Sequence, residues 1–175
     1  MPASQWSPAK RGLYVMSKPP PPILSQMGGL KRMPAQRGLE RVHATVLALG
    51  DLAELPEEHL PTVLEAMDGF QADAFHIYFD HIAEGKVVAL RSRKVQRGMN
   101  TFRKRLVRFL AERDFHEVVV PGKAHVTLRY DRDGKGDEPI QPIDWRVDEV
   151  LLIESLGGKS THIERGRWQL NPLLI

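Results

Sequence analysis

The chain has 175 residues, a hydrophobic content of 42%, a charged content of 27% and a formal net charge of +3. These values are typical of a soluble globular protein that is long enough to bury a sizeable core. The absence of cysteine excludes disulfides, thiolate zinc sites and a cysteine nucleophile. No apolar run reaches membrane-spanning length, and the N-terminus lacks the apolar core of a signal peptide. We therefore expect a cytoplasmic protein that does not bind membranes.

Strands and helices alternate along the chain with hairpin connections, which predicts an α+β fold with largely antiparallel sheets. Residues 1–10 are expected to form a flexible tail, and residues 11–175 a single domain. Apolar and alternating patterns predict strands at 12–16, 147–155 and 161–170 and a hairpin at 73–92. Helical spacing predicts helices at 23–30, 57–67 and 99–113. Loops are expected at the four prolines of 19–22, at the basic segment 31–41 and at 131–142.

Residues 91–108 form the most basic stretch, with eight arginines and lysines and no acidic residue. Its helical part is expected to be a solvated face, and the apolar residues of this helix are expected to point inward: Phe102, Leu106, Phe109 and Leu110. Arg91 and Arg93 follow a predicted strand and are better placed to reach a cleft. A basic balance permits an anionic ligand but does not specify one.

Two copies of one short pattern carry the chemistry, His43-x-Thr45 and His125-x-Thr127. Both lie in strand-like contexts, and side chains two residues apart in a strand point to the same face. Each copy therefore places an imidazole beside a hydroxyl, with apolar residues on the opposite face. With seven histidines and five threonines in 175 residues, chance gives roughly 0.2 such pairs. The alternative is a pair of strand histidines that precede threonine by accident.

The chain resembles the 2H phosphoesterase superfamily, and within it the 2′-5′ RNA ligase family of RNA 2′,3′-cyclic phosphodiesterases. The resemblance rests on the two His-x-Thr motifs, and it extends over nearly the whole chain after the tail. Supporting similarities are Gly50-Asp51 after the first motif, Glu154-Ser155 in the next-to-last strand and Trp168-x-Leu170 near the end. The chain departs from the family at Ala124, where proline is usual, at Tyr130, where arginine is usual, and at His162, where tyrosine is common.

The resemblance implies two pseudo-symmetric lobes of antiparallel sheet with outer helices. An active-site cleft between the lobes would hold one motif from each. It also implies metal-independent hydrolysis of RNA 2′,3′-cyclic phosphate ends to 2′-phosphates, together with reversible 2′-5′ RNA ligation. The expected substrates are RNA 3′ ends, tRNA fragments among them, or a cyclic nucleotide. No cofactor is expected, and the protein is expected to be a monomer.

Opening a cyclic phosphate needs a base for the attacking water and an acid for the leaving oxygen, on opposite sides of the phosphorus. Imidazoles have an unperturbed pKa of ~6.5, so both protonation states are accessible at neutral pH. The hydroxyls of Thr45 and Thr127 can donate hydrogen bonds to the non-bridging oxygens. Histidines without carboxylate or thiolate companions make a poor metal site. The resemblance implies that His43 is the acid and His125 the base, whereas the residues alone leave this assignment open.

Arg129 lies two residues beyond Thr127 and shares its face if the strand is regular, which makes it a candidate substrate-binding residue. The alternative is a surface arginine at the end of a strand. His162 is a weaker candidate than Arg129, because a residue of the last strand more often packs or is solvated. The other histidines outside the motifs have no motif partner and are interpreted as structural: His59, His76, His81 and His116.

Two other functions remain open. One is an RNA-binding module of the same fold without turnover, and the other is a phosphodiesterase that acts on a small cyclic nucleotide. The histidine pair argues against a binding module, because arginine or lysine would serve binding alone as well.

Overall fold

A computed structural model of the chain describes residues 9–33, 41–157 and 161–172. In these ranges the elements are β1 (Arg11–Ser17), α1 (Pro21–Gly28), β2 (Ala44–Asp51), α2 (His59–Gly69), β3 (Phe75–Glu84), β4 (Val88–Arg91), α3 (Arg97–Ala111), β5 (Val126–Arg129), β6 (Glu138–Val147), β7 (Glu149–Leu156) and β8 (Thr161–Gln169). The three predicted helices and the predicted hairpin are confirmed, with ends shifted by a few residues. Most of the predicted tail and of the basic segment 31–41 lies outside the described residues.

The eight strands form one antiparallel sheet in the order β6-β3-β4-β5-β2-β1-β7-β8. The first four strands and the last four are two sets that meet where β5 pairs with β2. The predicted α+β fold with antiparallel sheet is therefore confirmed. The two lobes of the prediction correspond to two four-stranded halves of one continuous sheet.

The core lies on one face of this sheet. One apolar cluster joins Met27 of α1, Val63 of α2 and Leu106 of α3 to buried strand residues. Burying a side chain of this size stabilises the fold by roughly 1.5–3 kcal/mol. The opposite face carries a small separate cluster of Met16, Leu151 and Ile153. Within the described residues, no helix combines the length and the apolar character needed to cross a bilayer.

Two segments that were predicted as loops on account of their prolines contain regular structure. Helix α1 begins at Pro21, two residues before the predicted start, with proline in its first turn. Proline is tolerated there because the first N–H groups of a helix have no partner within the helix. Strand β6 begins at Glu138, inside the predicted loop 131–142. It is an edge strand of the sheet, and an edge accommodates proline where a central strand would lose a ladder hydrogen bond.

Arg32, predicted to lie in a basic loop, is a buried residue with 2% exposure. Its guanidinium donates hydrogen bonds to Asp133 and Glu84 and to the carbonyl oxygen of Gly136. The end of β3 is thereby tied to the segment between β5 and β6. A buried charge is tolerated when it is paired and hydrogen-bonded in this way.

Candidate active site

The two motif strands are direct neighbours at the junction of the two sheet halves. Ala44 of β2 lies opposite Val126 of β5. Both side chains are completely buried in the core. The residues on either side of Ala44 and of Val126 therefore point to the other face of the sheet, away from the helices.

Antiparallel pairing at this register sets His43 opposite Thr127 and Thr45 opposite His125. All four motif side chains thus project from one face, and each is partly exposed. The two histidines are diagonal neighbours, whose α-carbons lie roughly 7–8 Å apart in such a pair. This spacing leaves room for a group of the size of a phosphate between the imidazoles.

Both catalytic candidates are oriented by the same local contact. Nδ1 of His43 bonds to the carbonyl oxygen of Arg41 at 2.8 Å, and Nδ1 of His125 bonds to the carbonyl oxygen of Lys123 at 3.2 Å. A carbonyl oxygen can only accept, so Nδ1 carries the hydrogen in each ring. Nε2 is then the nitrogen through which each imidazole exchanges a proton with a substrate.

The surroundings of His125 favour its neutral form. Burial lowers the pKa of His125, and the nearby positive charges of Arg91 and Arg103 lower it further. The hydrogen bond to Lys123 acts in the opposite direction and is outweighed. A neutral imidazole near pH 7 can accept a proton, which is the requirement for a general base.

Arg103 of α3 braces both motifs from the core side. Its guanidinium donates to the carbonyl oxygens of Val46 at 2.8 Å and Thr45 at 3.0 Å in β2, and to that of Gly122 at 3.1 Å, just before β5. Arg103 is only 5% exposed, although its stretch was predicted to be a solvated face. Helical spacing could have predicted the burial of Arg103. This residue lies four residues after Met99 and three before Leu106, which are both buried.

A third histidine adjoins the first motif. The rings of His162 in β8 and His43 are arranged edge to face, with their centroids 5.2 Å apart. His162 was predicted to be a weaker candidate than Arg129, and no local pattern in the sequence indicated that it lies beside His43. Its contact with a motif histidine depends on the order β2-β1-β7-β8 of the sheet.

Arg129 lies at an irregularity of β5. Ala89 of β4 is opposite Thr127, but the next residue, Val88, is opposite Arg129. Leu128 is thus an extra residue in the strand, and the regular alternation that would place Arg129 beside Thr127 is interrupted. The guanidinium of Arg129 forms an ion pair with Asp131 at 2.6 Å. Its role in substrate binding stays a prediction.

Comparison with known proteins identifies the fold. No protein-family model and no curated protein matches the sequence. Solved structures do match, and the likeness is one of fold. A crystal structure of a phosphoesterase is 21% identical with a TM-score of 0.66, over 92% of this chain and 99% of that chain.

Two further matches carry names. The crystal structure of E. coli LigT in complex with 3′-AMP is 20% identical with a TM-score of 0.67, over 91% of this chain and 97% of LigT. TT0787 of Thermus thermophilus is 19% identical with a TM-score of 0.69, over 93% of this chain and 100% of TT0787. The chain therefore has the LigT-like fold over most of its length.

Proposed function

We propose that this protein is a 2H phosphoesterase that hydrolyses 2′,3′-cyclic phosphate ends of RNA to 2′-phosphates. The observation that carries the proposal is the β2–β5 register, which groups two imidazoles and two hydroxyls on one face of adjacent strands. The LigT-like fold supports it, since LigT is a 2′-5′ RNA ligase of this family. LigT has also been crystallised with 3′-AMP and with phosphate.

Each of the two histidines carries out one proton transfer of the reaction. Nε2 of His125 takes a proton from water while the water oxygen attacks phosphorus. The bond from phosphorus to the ribose 3′-oxygen breaks on the opposite side, and that oxygen receives a proton from Nε2 of His43. The lowered pKa of His125 supports its role as the base. The product is a 2′-phosphate with a free 3′-hydroxyl.

The two threonines stabilise the negative charge that develops on the phosphate. In the transition state the non-bridging oxygens become more negative, and donors that are already in place stabilise them without reorganisation. The hydroxyls of Thr45 and Thr127 lie opposite the two histidines, so a phosphate between the imidazoles would be within reach of both. The reversible 2′-5′ joining of RNA uses the same groups, with a 5′-hydroxyl in place of water.

The test uses an RNA oligonucleotide that ends in a 2′,3′-cyclic phosphate, with a chelator present. We expect opening to a 2′-phosphate and a bell-shaped dependence of rate on pH, because one imidazole must be neutral and the other charged. Replacing either His43 or His125 by alanine should slow turnover by on the order of 10²–10⁴-fold. The double change should add little, since the two histidines act as a unit.

Three other outcomes would change the proposal. RNA that binds but keeps its cyclic end between pH 5 and 9 would support a binding module without turnover. Turnover of cyclic mononucleotides alone would make a small cyclic nucleotide the substrate. Loss of activity with the chelator would refute the metal-independent mechanism.

A further inference from the structure

Arg91, at the end of β4, lies in the same row of the sheet as the second motif. The pairing of Leu90 with Val126 sets Arg91 opposite His125. On its other side, Arg91 is opposite His81 of β3. Residues that lie opposite each other on neighbouring strands point to the same face. The guanidinium of Arg91 therefore projects from the face that carries His43 and His125.

Among residues 9–33, 41–157 and 161–172, no acidic group forms an ion pair with Arg91. Other arginines in this half of the sheet have such partners: Arg93 lies 3.9 Å from Asp80 and Arg129 lies 2.6 Å from Asp131. Asp80 is also bound by Nδ1 of His81, at 2.6 Å. Asp80, the neighbour of His81 in the chain, thus has Arg93 and His81 as its partners.

Arg91 lies between His81 and His125 in this row of the sheet. This placement also determines where it lies relative to the reacting phosphate. That phosphate is expected between His43 on β2 and His125 on β5. Arg91 lies one strand further, about 4.8 Å beyond β5 and on the side away from β2. It is near enough to His125 for its charge to lower the pKa of that imidazole. An anion held above β4 by Arg91 would therefore lie next to the reacting group.

We propose that Arg91 forms a second phosphate subsite, which holds the phosphodiester next to the cyclic end of an RNA substrate. The inference rests on the proposed function, because it takes the reacting phosphate to lie between the histidines. A guanidinium presents paired N–H groups that match phosphate oxygens, and it stays charged at every relevant pH. The subsite makes an RNA end, which has a neighbouring phosphodiester, a better substrate than a cyclic mononucleotide.

The experiment compares three substrates with the same terminal cyclic nucleotide. The first is the mononucleotide 2′,3′-cyclic phosphate. The second is a dinucleotide with a normal phosphodiester, and the third is the same dinucleotide with an uncharged methylphosphonate linkage. The last two differ only in the charge that Arg91 is inferred to bind.

We expect the wild-type protein to show a KM for the phosphodiester dinucleotide about 10- to 100-fold below that for the methylphosphonate, as for one charge-assisted contact. Arg91→Gln should abolish this difference. Arg108→Gln is the matched control, since Arg108 is an exposed arginine of α3 that pairs with Glu112. The control should keep the preference. A preference that persists in Arg91→Gln, or an equal rise in KM for all three substrates, would overturn the inference.

Equilibrium binding separates this inference from the proposed function. The probes are the unreactive 2′-deoxy-3′-phosphate forms of the two dinucleotides, titrated at several salt concentrations. For a single-stranded ligand, losing one phosphate contact should reduce the slope of log K against log salt by about 0.7. If this change appears in Arg91→Gln but no cyclic end is opened, the hydrolase proposal fails and the subsite stands. If all cyclic ends are opened without a charge preference, the subsite fails and the hydrolase proposal stands.

Discussion

The imidazole rings of His43 and His162 pack edge to face, with their planes at 74°. Burial lowers the pKa of His162, and the positive charges of Lys18 and Arg41 lower it further, so His162 is neutral near pH 7. Within the described residues, its buried Nδ1 has no hydrogen-bond partner. A neutral ring at this position packs against the proposed acid without repelling its protonated form.

His162 is therefore expected to position His43 through its ring and not through its nitrogens. His162→Phe keeps an aromatic ring and should retain kcat within about threefold, whereas His162→Ala should lower kcat by up to about 10²-fold, as small misplacements of reacting groups do. KM should change little in both variants. Steady-state kinetics on the oligonucleotide that ends in a 2′,3′-cyclic phosphate measure kcat and KM of both variants. Equal losses in the two variants would show that the nitrogens of His162 matter.

The pH dependence of kcat/KM should report the lowered pKa of His125. Its acidic limb reflects protonation of the base in the free enzyme, so the midpoint should lie below the ordinary imidazole value of ~6.5. Arg91→Gln removes one positive charge that disfavours protonated His125, so the pKa should rise and the limb should move to higher pH. Arg108→Gln should leave it in place. A limb that stays fixed or moves to lower pH in Arg91→Gln would contradict this electrostatic account.

The hydroxyls of the motifs should contribute to the rate and not to the fold. Thr45→Val and Thr127→Val preserve the branched shape and should slow turnover by up to about 10²-fold each if each hydroxyl bonds a transition-state oxyanion. Thermal unfolding of the variants provides the control for structure. Full activity of both valine variants would remove the hydroxyls from the mechanism.

Replacing Arg103 should lower both the free energy of unfolding and kcat. Arg103→Met leaves three carbonyl oxygens without their donor, on β2 and just before β5, and should lower the free energy of unfolding by about 2 kcal/mol or more. Lys104→Met, at an exposed neighbouring position, is the control. Denaturant unfolding and kcat are measured for both. A stable Arg103→Met protein with normal kcat would show that the brace is dispensable.

Arg129 is a predicted substrate-binding residue whose guanidinium is held by Asp131. If it releases Asp131 to contact the substrate in ground and transition states alike, Arg129→Ala should raise KM more than it lowers kcat. Asp131→Asn should then lower KM, because the competing carboxylate charge is gone. Unchanged kinetics in both variants would assign Arg129 to the surface ion pair alone.

Much of the site was accessible from the sequence because it depends on local periodicity. Alternation along each motif correctly predicted which side chains share a face, and Val42, Val46, Val126 and Leu128 are buried on the opposite face as expected. The pairing of β2 with β5 brings together residues about 80 positions apart, and no local pattern encodes that register.

The positions of two arginines were predicted wrongly, for a different reason. Arg32 and Arg103 were expected in solvent, as charged residues usually are. Both are buried because the tertiary structure supplies their acceptors, carboxylates around Arg32 and backbone carbonyls around Arg103. Those acceptors come from other parts of the chain, so composition and helical spacing could predict an inward position for Arg103 but not its hydrogen bonds.

The β2–β5 register gives the catalytic centre a local twofold axis. A half-turn about the Ala44–Val126 pair exchanges the two His-x-Thr motifs, and each imidazole has the same kind of carbonyl behind it. The motifs by themselves are therefore equivalent with respect to proton donation and acceptance. The difference comes from their flanks, Arg91 beside one imidazole and His162 beside the other. Substitutions outside the motifs can thus change which histidine acts as the acid and which acts as the base, without any change in the motifs themselves.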